Sequence, residues 1–157
     1  MTISLRHESP ADAPFISELY AETRQHELEF TGWDAATRRN FLENQFRCRE
    51  LSYRSMFPGA AFSIILLEGI AIGRLVVDRS ATEIRVVDVA IDSLHRGRGI
   101  GTKLLKSIIE EARSSGKPVR LHALRASREL RLYLRLGFVH IGEFGFHDEL
   151  ELLPEPT

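Results

Sequence analysis

The sequence predicts an α+β fold built on one mixed, mostly antiparallel sheet with helices on both faces. Apolar residues recur at helical spacing in the first third of the chain, and β-branched residues dominate short segments in the middle. The two patterns then alternate to the end, which gives about seven strands and about four helices. The length of 157 residues and the 43% hydrophobic content predict a single domain over residues 1–157.

The first half of the chain predicts a short strand followed by two amphipathic helices. After a strand at residues 3–7, Ser9 can cap a helix because a proline and then an acid follow it, and the apolar face extends to about Gln25. Asp34 can cap a second helix, which ends at residues 57–59. We expect the polar face of the second helix to be solvated, and this face carries Arg38, Arg39, Arg47 and Arg49.

The second half of the chain alternates between strands and helices. An antiparallel meander is predicted over residues 62–67, 70–78 and 83–92. The next elements are a helix at about 101–115, a strand at 119–124 and a helix from the Ser127 cap to Leu136. Extended segments at residues 138–144 and 149–153 complete the chain. The last strand is expected to be unpaired and could serve a homodimer.

Charge and cysteine content exclude several classes of function. Lys plus Arg number 21 against 22 Asp plus Glu, so the net charge of −1 provides no field that would hold nucleic acid or an anionic membrane. The longest strongly apolar stretch, residues 60–67, is too short to span a bilayer, and the N-terminus has no apolar signal core. The single Cys48 excludes an intramolecular disulfide and a cysteine-based zinc site. We therefore expect a cytoplasmic protein.

The clearest chemical signal is a glycine-rich turn between a buried strand and a helix. Residues 96–101 read Arg-Gly-Arg-Gly-Ile-Gly. Glycines let backbone N–H groups point outward, and the helix dipole adds positive potential, so such a turn favours a phosphate or pyrophosphate. A Walker A loop does not fit because the order is Gly101-Thr102-Lys103, and a dinucleotide fingerprint does not fit because Thr102 takes its last glycine position. The alternative is that these glycines form only a flexible loop between the strand and the helix, with no ligand.

Residues 96–101 match Q/R-x-x-G-x-G/A, and by this motif the chain resembles the GNAT superfamily of acyl-CoA-dependent N-acyltransferases. Residues 89–92, Val-Ala-Ile-Asp, stand where that family has a strand end, and residues 132–138 resemble its L-Y-x-x-L-G-F segment. The order of elements also agrees. One departure is Ser127-Arg128-Glu129, where the family commonly has N-P-A; Ser127 can still cap a helix and donate one hydrogen bond, with shorter reach than Asn.

The resemblance implies an N-acetyltransferase in which a substrate amine attacks acetyl-CoA directly, within a ternary complex. The turn would hold the pyrophosphate, a backbone N–H at the strand end would stabilise the thioester oxygen, and Tyr133 would assist the departing thiolate. The alternative for Tyr133 is a core aromatic residue. The residues that the resemblance assigns to acetyl-CoA are Val89, Ala90, Ile91, Arg96, Gly97, Arg98, Gly99, Ile100, Gly101, Thr102, Ser127 and Tyr133.

The reaction also needs a group that accepts a proton from the acceptor amine, and Asp88 is our first candidate. An acid in an otherwise apolar strand is costly unless it is paired or used. A salt bridge to an arginine of a neighbouring strand is an equally open interpretation. Glu83 and His122 are further candidates for the base, although a lone histidine on such a strand is more often a structural sheet residue than a base.

The acceptor is predicted to be a small amine or an amino-acid-like molecule, with a protein amine as the second choice. Glu27, Phe30 and Trp33 lie between the first two helices, where the family builds part of its acceptor pocket. An acid beside aromatic rings would suit a cationic amine, although these residues could equally form a solvated loop. Four arginines around the last helix either form a solvated face or contact the CoA 3′-phosphate, and these are Arg125, Arg128, Arg131 and Arg135.

We expect no metal, because the sequence holds neither an H-E-x-x-H pair nor a Cys/His cluster. An alternative function of a different class is a non-catalytic module that binds or senses acyl-CoA. A third reading, an interaction protein without a cofactor, would follow if CoA did not bind.

Overall fold

The computed structural model describes residues 2–155 and confirms the α+β class. Seven strands of the described chain form one sheet in the order β1-β2-β3-β4-β5-β7-β6. The strands are β1 (Ile3–His7), β2 (Ala61–Leu67), β3 (Ile70–Arg79), β4 (Ile84–Ile91), β5 (Val119–Leu124), β6 (Val139–Phe144) and β7 (His147–Leu152). The helices are α1 (Ala13–Leu28), α2 (Ala35–Met56), α3 (Ile100–Ser115) and α4 (Arg128–Arg135).

The chain forms two compact units. One unit is Met1–Val76 with Asp88–Ile100, and the other is Val77–Val87 with Gly101–Thr157. Strands β3 and β4 each contribute residues to both units.

The first unit contains β1, β2, α1 and α2. β1 pairs antiparallel with β2, from Ile3 opposite Leu67 to His7 opposite Ser63. A two-residue turn joins β2 to β3, and both of its residues, Glu68 and Gly69, have positive φ angles of 48° and 79°. Such turns match the twist of an antiparallel hairpin. The buried residues of this unit include Ile16, Leu19, Ile64, Ile65 and Ile72.

The second unit contains β5, β6, β7, α4 and most of α3. β5 pairs parallel with β4, Ile84 to Val86 lying opposite Val119 to Leu121, and antiparallel with β7. One face of α3 is buried, since Leu105, Ile108 and Ala112 are each at least 95% buried. Leu121 and Leu150, paired across β5 and β7, are also fully buried.

Three local predictions need correction. A 3₁₀ turn, Pro10–Asp12, precedes α1, because the Asp12 carboxylate accepts the N–H of Ser9 at 2.8 Å and thereby tightens this turn. The last strand is paired on both sides, since β7 lies between β5 and β6, and the free edge at this end of the sheet belongs to β6. The polar face of α2 is not uniformly solvated, because Arg49 is largely buried beside an acid.

None of the helices among the described residues combines the length and the apolarity needed to cross a bilayer.

Candidate active site

The glycine-rich turn is open and leads directly into a helix. β4 ends at Ile91, and α3 begins at Ile100. Gly97 and Gly99 have φ angles of 77° and 78°, which side chains other than glycine rarely adopt, and a Cβ added at either would meet only open space. The turn therefore exposes backbone at the N-terminus of α3, where the helix dipole favours an anion.

Side chains at the start of the turn hold its shape. Asp92 accepts the backbone N–H of His95 at 3.0 Å and also contacts the His95 ring. Arg96 folds back, and its Nε donates to the carbonyl of Ile91 at 2.8 Å. Glu22 of α1 accepts the N–H of Ser93 at 3.0 Å and lies 3.6 Å from the Arg96 guanidinium. The Arg96 side chain thus fastens the turn to the end of β4.

The remaining predicted loop residues differ in exposure. Gly97, Arg98 and Gly99 are exposed, Gly101 and Thr102 are half-buried, and Ile100 is buried as the first residue of α3.

The end of β4, where Val89, Ala90 and Ile91 were predicted to contact the thioester, lies very close to β3. A Cβ on Gly73 would come within 2.3 Å of the Ala90 carbonyl oxygen, so only glycine fits at this position of β3. The N–H of Asp92 donates to the carbonyl of Ile72 at 2.8 Å. Sequence reasoning did not single out Gly73, although an isolated glycine in a strand is the usual signal of close backbone approach.

Asp88 lies on β4 beside two arginines but makes no close ion pair with either. Its Oδ2 atom is 3.6 Å from Nη2 of Arg49 and 3.9 Å from Nη1 of Arg74, and it has no hydrogen-bond partner among the described residues. Only 14% of the side chain is exposed. Burial raises the pKa of Asp88 above its ordinary value, although both arginines act to lower it. The Asp88 carboxylate therefore takes up and holds a proton more readily than a surface aspartate.

Aromatic rings hold Arg49 in place. Its guanidinium lies 4.5 Å from the centre of the Tyr20 ring and 5.2 Å from that of Tyr53. Its Nε atom is buried and has no hydrogen-bond partner among the described residues. Burial, together with the charge of Asp88, raises the pKa of Tyr53 to about 12, so its hydroxyl stays protonated at neutral pH. Two buried polar atoms, one on Asp88 and one on Arg49, are thus left for a water or a ligand.

The buried Arg74 anchors this cluster. The residue is 1% exposed, and its guanidinium binds both carboxylate oxygens of Glu50 at 2.8 and 2.6 Å and Glu8 at 2.8 Å. Burial acts to lower the pKa of Arg74, but these carboxylates outweigh it, and the net shift is upward. Sequence reasoning missed Arg74; the signal was an arginine inside the apolar run of β3.

In the second unit, Tyr133 is buried on α4, and its ring centre lies 5.8 Å from that of Phe138. Ser127 caps α4, because its hydroxyl accepts the N–H of Leu130 at 3.1 Å, which confirms the predicted cap. Arg125 contacts Asp148 at 3.0 Å and Glu143 at 3.3 Å, whereas the other three arginines of this group, Arg128, Arg131 and Arg135, are exposed.

The two further candidates for the base belong to a ladder of ion pairs on β4, β5 and β7. Glu83 binds Arg85 at 2.8 Å and Arg120 at 2.9 Å. His122 lies 3.5 Å from Glu149, which in turn binds Arg85 at 2.6 Å. Burial acts to raise the pKa of Glu149, but Arg85 outweighs it and keeps the pKa below the ordinary value. Both candidates therefore contact charged partners, and Asp88 differs from them in having a buried oxygen with no hydrogen-bond partner among the described residues.

The family model of the acetyltransferase (GNAT) domain matches residues 58–140, more than half of the chain. The chain belongs to the GNAT acetyltransferase family. The matched part of this GNAT chain includes the glycine-rich turn and Tyr133.

Solved structures share the fold of this GNAT chain at low sequence identity. One is the PaiA N-acetyltransferase from Thermoplasma acidophilum in complex with coenzyme A, with 16% identity, a TM-score of 0.70, and coverage of 98% of this chain and 99% of that chain. Another is YncA from Salmonella typhimurium with its cofactor acetyl-CoA, with 21% identity, a TM-score of 0.57, and coverage of 100% and 96%. An aminoglycoside 6′-N-acetyltransferase complexed with coenzyme A has 15% identity, a TM-score of 0.63, and coverage of 100% and 99%. No curated protein matches the sequence.

The residues predicted to line an acceptor pocket in this GNAT chain are exposed at the end of α1 and before α2. Glu27 pairs with Arg24, Phe30 meets the edge of His26 at 5.5 Å, and Trp33 meets the edge of Phe41 at 5.2 Å. Each of these three side chains thus contacts a different residue, and no contact joins the three to one another in these pairs. A nearby groove of about 410 Å³ lies between α1 and α2 and is lined by residues that include Tyr20, Leu28, Arg38 and Leu42.

Within residues 2–155, one group of three side chains has the spacing of metal ligands. These are His140, Glu143 and Asp148 in the β6–β7 hairpin, with ligand atoms within 4.8 Å of one another. The Arg125 guanidinium already contacts both carboxylates and would compete with a cation. The expectation of a metal-free enzyme stays a prediction.

Proposed function

We propose that this GNAT chain transfers the acetyl group of acetyl-CoA to a primary amine by direct attack in a ternary complex. The observation that carries the proposal is the open turn before α3, in which Gly97 and Gly99 are exposed, have positive φ and leave open space beside the backbone at a helix N-terminus. Coenzyme A bound to structural neighbours of the same fold supports this ligand.

We assign the pyrophosphate to the turn, residues 96–102, and mainly to its backbone. The Arg96 side chain is already bonded to the Ile91 carbonyl, so it supports the turn and leaves the phosphate oxygens to the N–H groups. Arg98 is exposed and can add charge at the surface. Backbone N–H groups of Val89, Ala90 or Ile91 would stabilise the negative charge that develops on the thioester oxygen, and Ser127 is assigned to CoA by its position in the family motif.

We propose that Asp88 accepts the proton of the acceptor ammonium, directly or through one water. The Oδ2 atom without a hydrogen-bond partner among the described residues and the raised pKa support this role, because a carboxylate with a raised pKa is a stronger base and takes up a proton more readily. The neutral amine then forms the C–N bond to the acetyl carbon, and the C–S bond breaks. Tyr133 would donate a proton or hydrogen bond to the departing thiolate, and Asp88 would release the proton it took up to solvent.

For the acceptor, we propose a small amine or amino-acid-like molecule, with Glu27, Phe30 and Trp33 at its site. An exposed acid and two exposed aromatic rings suit a cation by charge and by cation–π contact. A protein amine is the second choice. The single exposed Cys48 suits a reducing compartment, and we place the enzyme in the cytoplasm on that basis.

The alternative is a module that binds acyl-CoA without turnover. Two features favour it: Ser127 in place of the family's Asn, and the contacts of Asp88 with Arg49 and Arg74, which would suit a purely structural carboxylate. Thiol release distinguishes the two, because only an enzyme liberates CoA in proportion to added amine.

The deciding experiment is calorimetric titration with acetyl-CoA, followed by thiol release with a panel of small amines, amino acids and peptides. Micromolar binding and amine-dependent thiol release are expected. Tight binding without release would favour the sensing module, and absence of binding at millimolar acetyl-CoA would refute the proposal.

A further inference from the structure

Six charged side chains of the first unit form a cluster in which positive and negative groups alternate. In order of contact, the charged cluster consists of Arg54, Glu8, Arg74, Glu50, Arg49 and Asp88. Its first contacts are close, since Glu8 lies 2.8 Å from Arg54 and 2.8 Å from Arg74. Three guanidinium groups face three carboxylates, so the longer contacts of Asp88 do not arise from a shortage of cations.

Glu50 and Glu8 take up the donors of Arg74. Nη1 of Arg74 donates to Glu50 at 2.8 Å, Nη2 donates to Glu50 at 2.6 Å, and Nε donates to Glu8 at 2.8 Å. A guanidinium holds its donors in a rigid planar fork, so Arg74 cannot turn toward a third carboxylate without losing one of these bonds. Asp88 is therefore left 3.9 Å from Nη1 of Arg74, beyond hydrogen-bond distance.

Arg49, the second cation beside Asp88, stands midway between two carboxylates. Its Nη2 atom lies 3.6 Å from Oε2 of Glu50 and 3.6 Å from Oδ2 of Asp88. The rings of Tyr20 and Tyr53 hold the guanidinium by cation–π contact, at 4.5 and 5.2 Å from their centres. Glu50 thus attracts both arginines that face Asp88.

The charges around Asp88 act in opposite directions on its carboxyl. Burial contributes most to the raised pKa of Asp88, Arg49 and Arg74 act to lower it, and Glu50 acts to raise it. Tyr53 also faces Asp88 but stays neutral, since its pKa is raised to about 12. Glu50 therefore favours an uncompensated Asp88 in two ways: its charge repels the ionised carboxylate, and its contacts keep the arginines from closing on it.

We propose that Glu50 is a positioning residue that keeps Asp88 out of a close ion pair, and so available as a base, by holding Arg74 and Arg49 away from it. The inference rests on the proposed function, in which Asp88 accepts the proton of the acceptor ammonium. Glu50 acts through the two arginines and not on the substrate. Without its charge the cluster carries one net positive charge, and the released N–H donors have the Oδ2 atom of Asp88 as an open acceptor beside them.

Glu50→Gln is the first test, because it removes the charge and keeps the size of the side chain. Turnover should still rise with pH, but this limb should move to lower pH by about one pH unit or more, as expected when an arginine closes on a carboxylate. Carbon NMR of the Asp88 carboxyl, identified by the signal that Asp88→Asn removes, should show its titration midpoint moving in the same direction.

Arg49→Gln is the second test and should shift the limb in the opposite direction. It removes the cation 3.6 Å from Asp88, so the limb and the carboxyl midpoint should both move to higher pH. A purely structural role predicts lower stability in both variants but not opposite shifts. The second test also remains usable if Glu50→Gln fails to fold, because Arg49 is 26% exposed and tolerates replacement better.

Two further variants serve as controls. Glu50→Asp keeps the charge and should return the pH profile to that of the wild type. Glu111→Gln is the matched control, since Glu111 binds Arg79 through both carboxylate oxygens at 2.5 and 3.0 Å, but in the second unit. It should leave the pH profile and the Asp88 signal unchanged.

The NMR titration uses the protein without acetyl-CoA or amine, so its result does not depend on turnover. An Asp88 midpoint that Glu50→Gln leaves in place, or that moves to higher pH, would overturn the proposal even if the enzyme is active. Shifts of the same sign in Glu50→Gln and Arg49→Gln would also overturn it. A wild-type protein that releases no thiol with any amine would instead refute the proposed function, whatever the NMR titration shows.

Discussion

At the scale of single residues, Asp88 combines burial with incomplete pairing. A carboxylate in an apolar strand is normally stabilised by a close partner, yet the nearest guanidinium atoms lie 3.6 and 3.9 Å from its Oδ2 atom. This arrangement leaves the carboxyl with a raised pKa and an open acceptor atom. Buried polar groups that structure alone does not satisfy are concentrated at functional sites.

Replacing Asp88 by Asn should lower the activity of the protein without lowering its stability. We expect turnover to fall by about 10²–10⁴-fold, because a positioned general base contributes on this scale. Wild-type turnover should rise with pH through the raised pKa of Asp88, and this limb should disappear in the variant. Asp78→Asn, on the neighbouring strand β3, is the control and should keep both rate and pH profile.

The same substitution should raise the melting temperature at neutral pH. A carboxyl whose pKa is higher in the folded state than in the unfolded state loses stability as pH rises between the two values, so ionised Asp88 is destabilising at neutral pH. Asn removes that penalty. A variant that is both less stable and fully active would identify Asp88 as a structural ion-pair residue.

Tyr133→Phe tests the second assigned side chain. The ring packs beside Phe138, and the change keeps that packing, so the fold and acetyl-CoA affinity should be retained. Turnover should fall by about 10²-fold, as expected for loss of one proton donor. Steady-state kinetics and calorimetry on the same preparation provide the measurement. Turnover at the wild-type rate would show that Tyr133 is a core packing residue with no catalytic role.

At the scale of elements, the turn between β4 and α3 depends on two glycines with positive φ. Their geometry explains why the motif needs glycine: backbone must be exposed, and the left-handed conformation must be accessible. Arg96 contributes by bonding to the end of β4. The conformation of this turn therefore depends both on its two glycines and on the hydrogen bond from Arg96 to the end of β4.

Gly99→Glu should abolish acetyl-CoA binding, because it places bulk and negative charge at the exposed backbone. Gly69→Glu is a matched control: Gly69 has nearly the same φ, 79° against 78°, and equally open surroundings, but it lies in the β2–β3 turn. Both variants carry the same backbone strain, and only Gly99→Glu should lose binding in calorimetry. Equal affinities in the two variants would contradict the pyrophosphate assignment.

The buried Arg74 of β3 binds two carboxylates, Glu8 after β1 and Glu50 of α2, and should be the costliest arginine to remove. Arg74→Ala leaves Glu8 and Glu50 without their buried partner, and we expect a loss of about 3–5 kcal/mol in the free energy of unfolding. Arg54→Ala removes a half-exposed partner of Glu8 and should cost no more than about 1 kcal/mol. Urea denaturation measures both, and comparable losses would refute a special role for Arg74.

At the scale of the whole molecule, both compact units take residues from β3 and β4. A strand that is hydrogen-bonded along its length cannot lose half of its pairing without exposing backbone groups. We therefore expect the chain to unfold as a single domain. Scanning calorimetry should show one transition with equal calorimetric and van't Hoff enthalpies, and two resolved transitions would mean that the units unfold separately.

Several parts of this molecule were predictable because their signals are local. Periodicity located the helices and strands, Ser127 and Asp34 were recognised as caps, and the turn was recognised from its glycines. These features depend on neighbouring residues alone, which is why short-range patterns suffice.

Other parts were not predictable, because they join residues far apart in the chain. Arg49 was expected in solvent, yet it packs on Tyr20 beside Asp88, and Arg74 binds Glu8, which is 66 positions away. The final strand was expected at the edge, but β7 inserts between β5 and β6. No local signal encodes which distant carboxylate meets a buried arginine or which strand is left with a free edge.

The sequence by itself determined the family, the order of elements and the position of the CoA-type turn, because periodicity, caps and glycine requirements are properties of contiguous residues. The tertiary structure alone decided the partners of Asp88, the close approach that requires Gly73, and the exposure of β6. These depend on which strands become neighbours, and that choice is made by the packing of the whole chain rather than by any one segment.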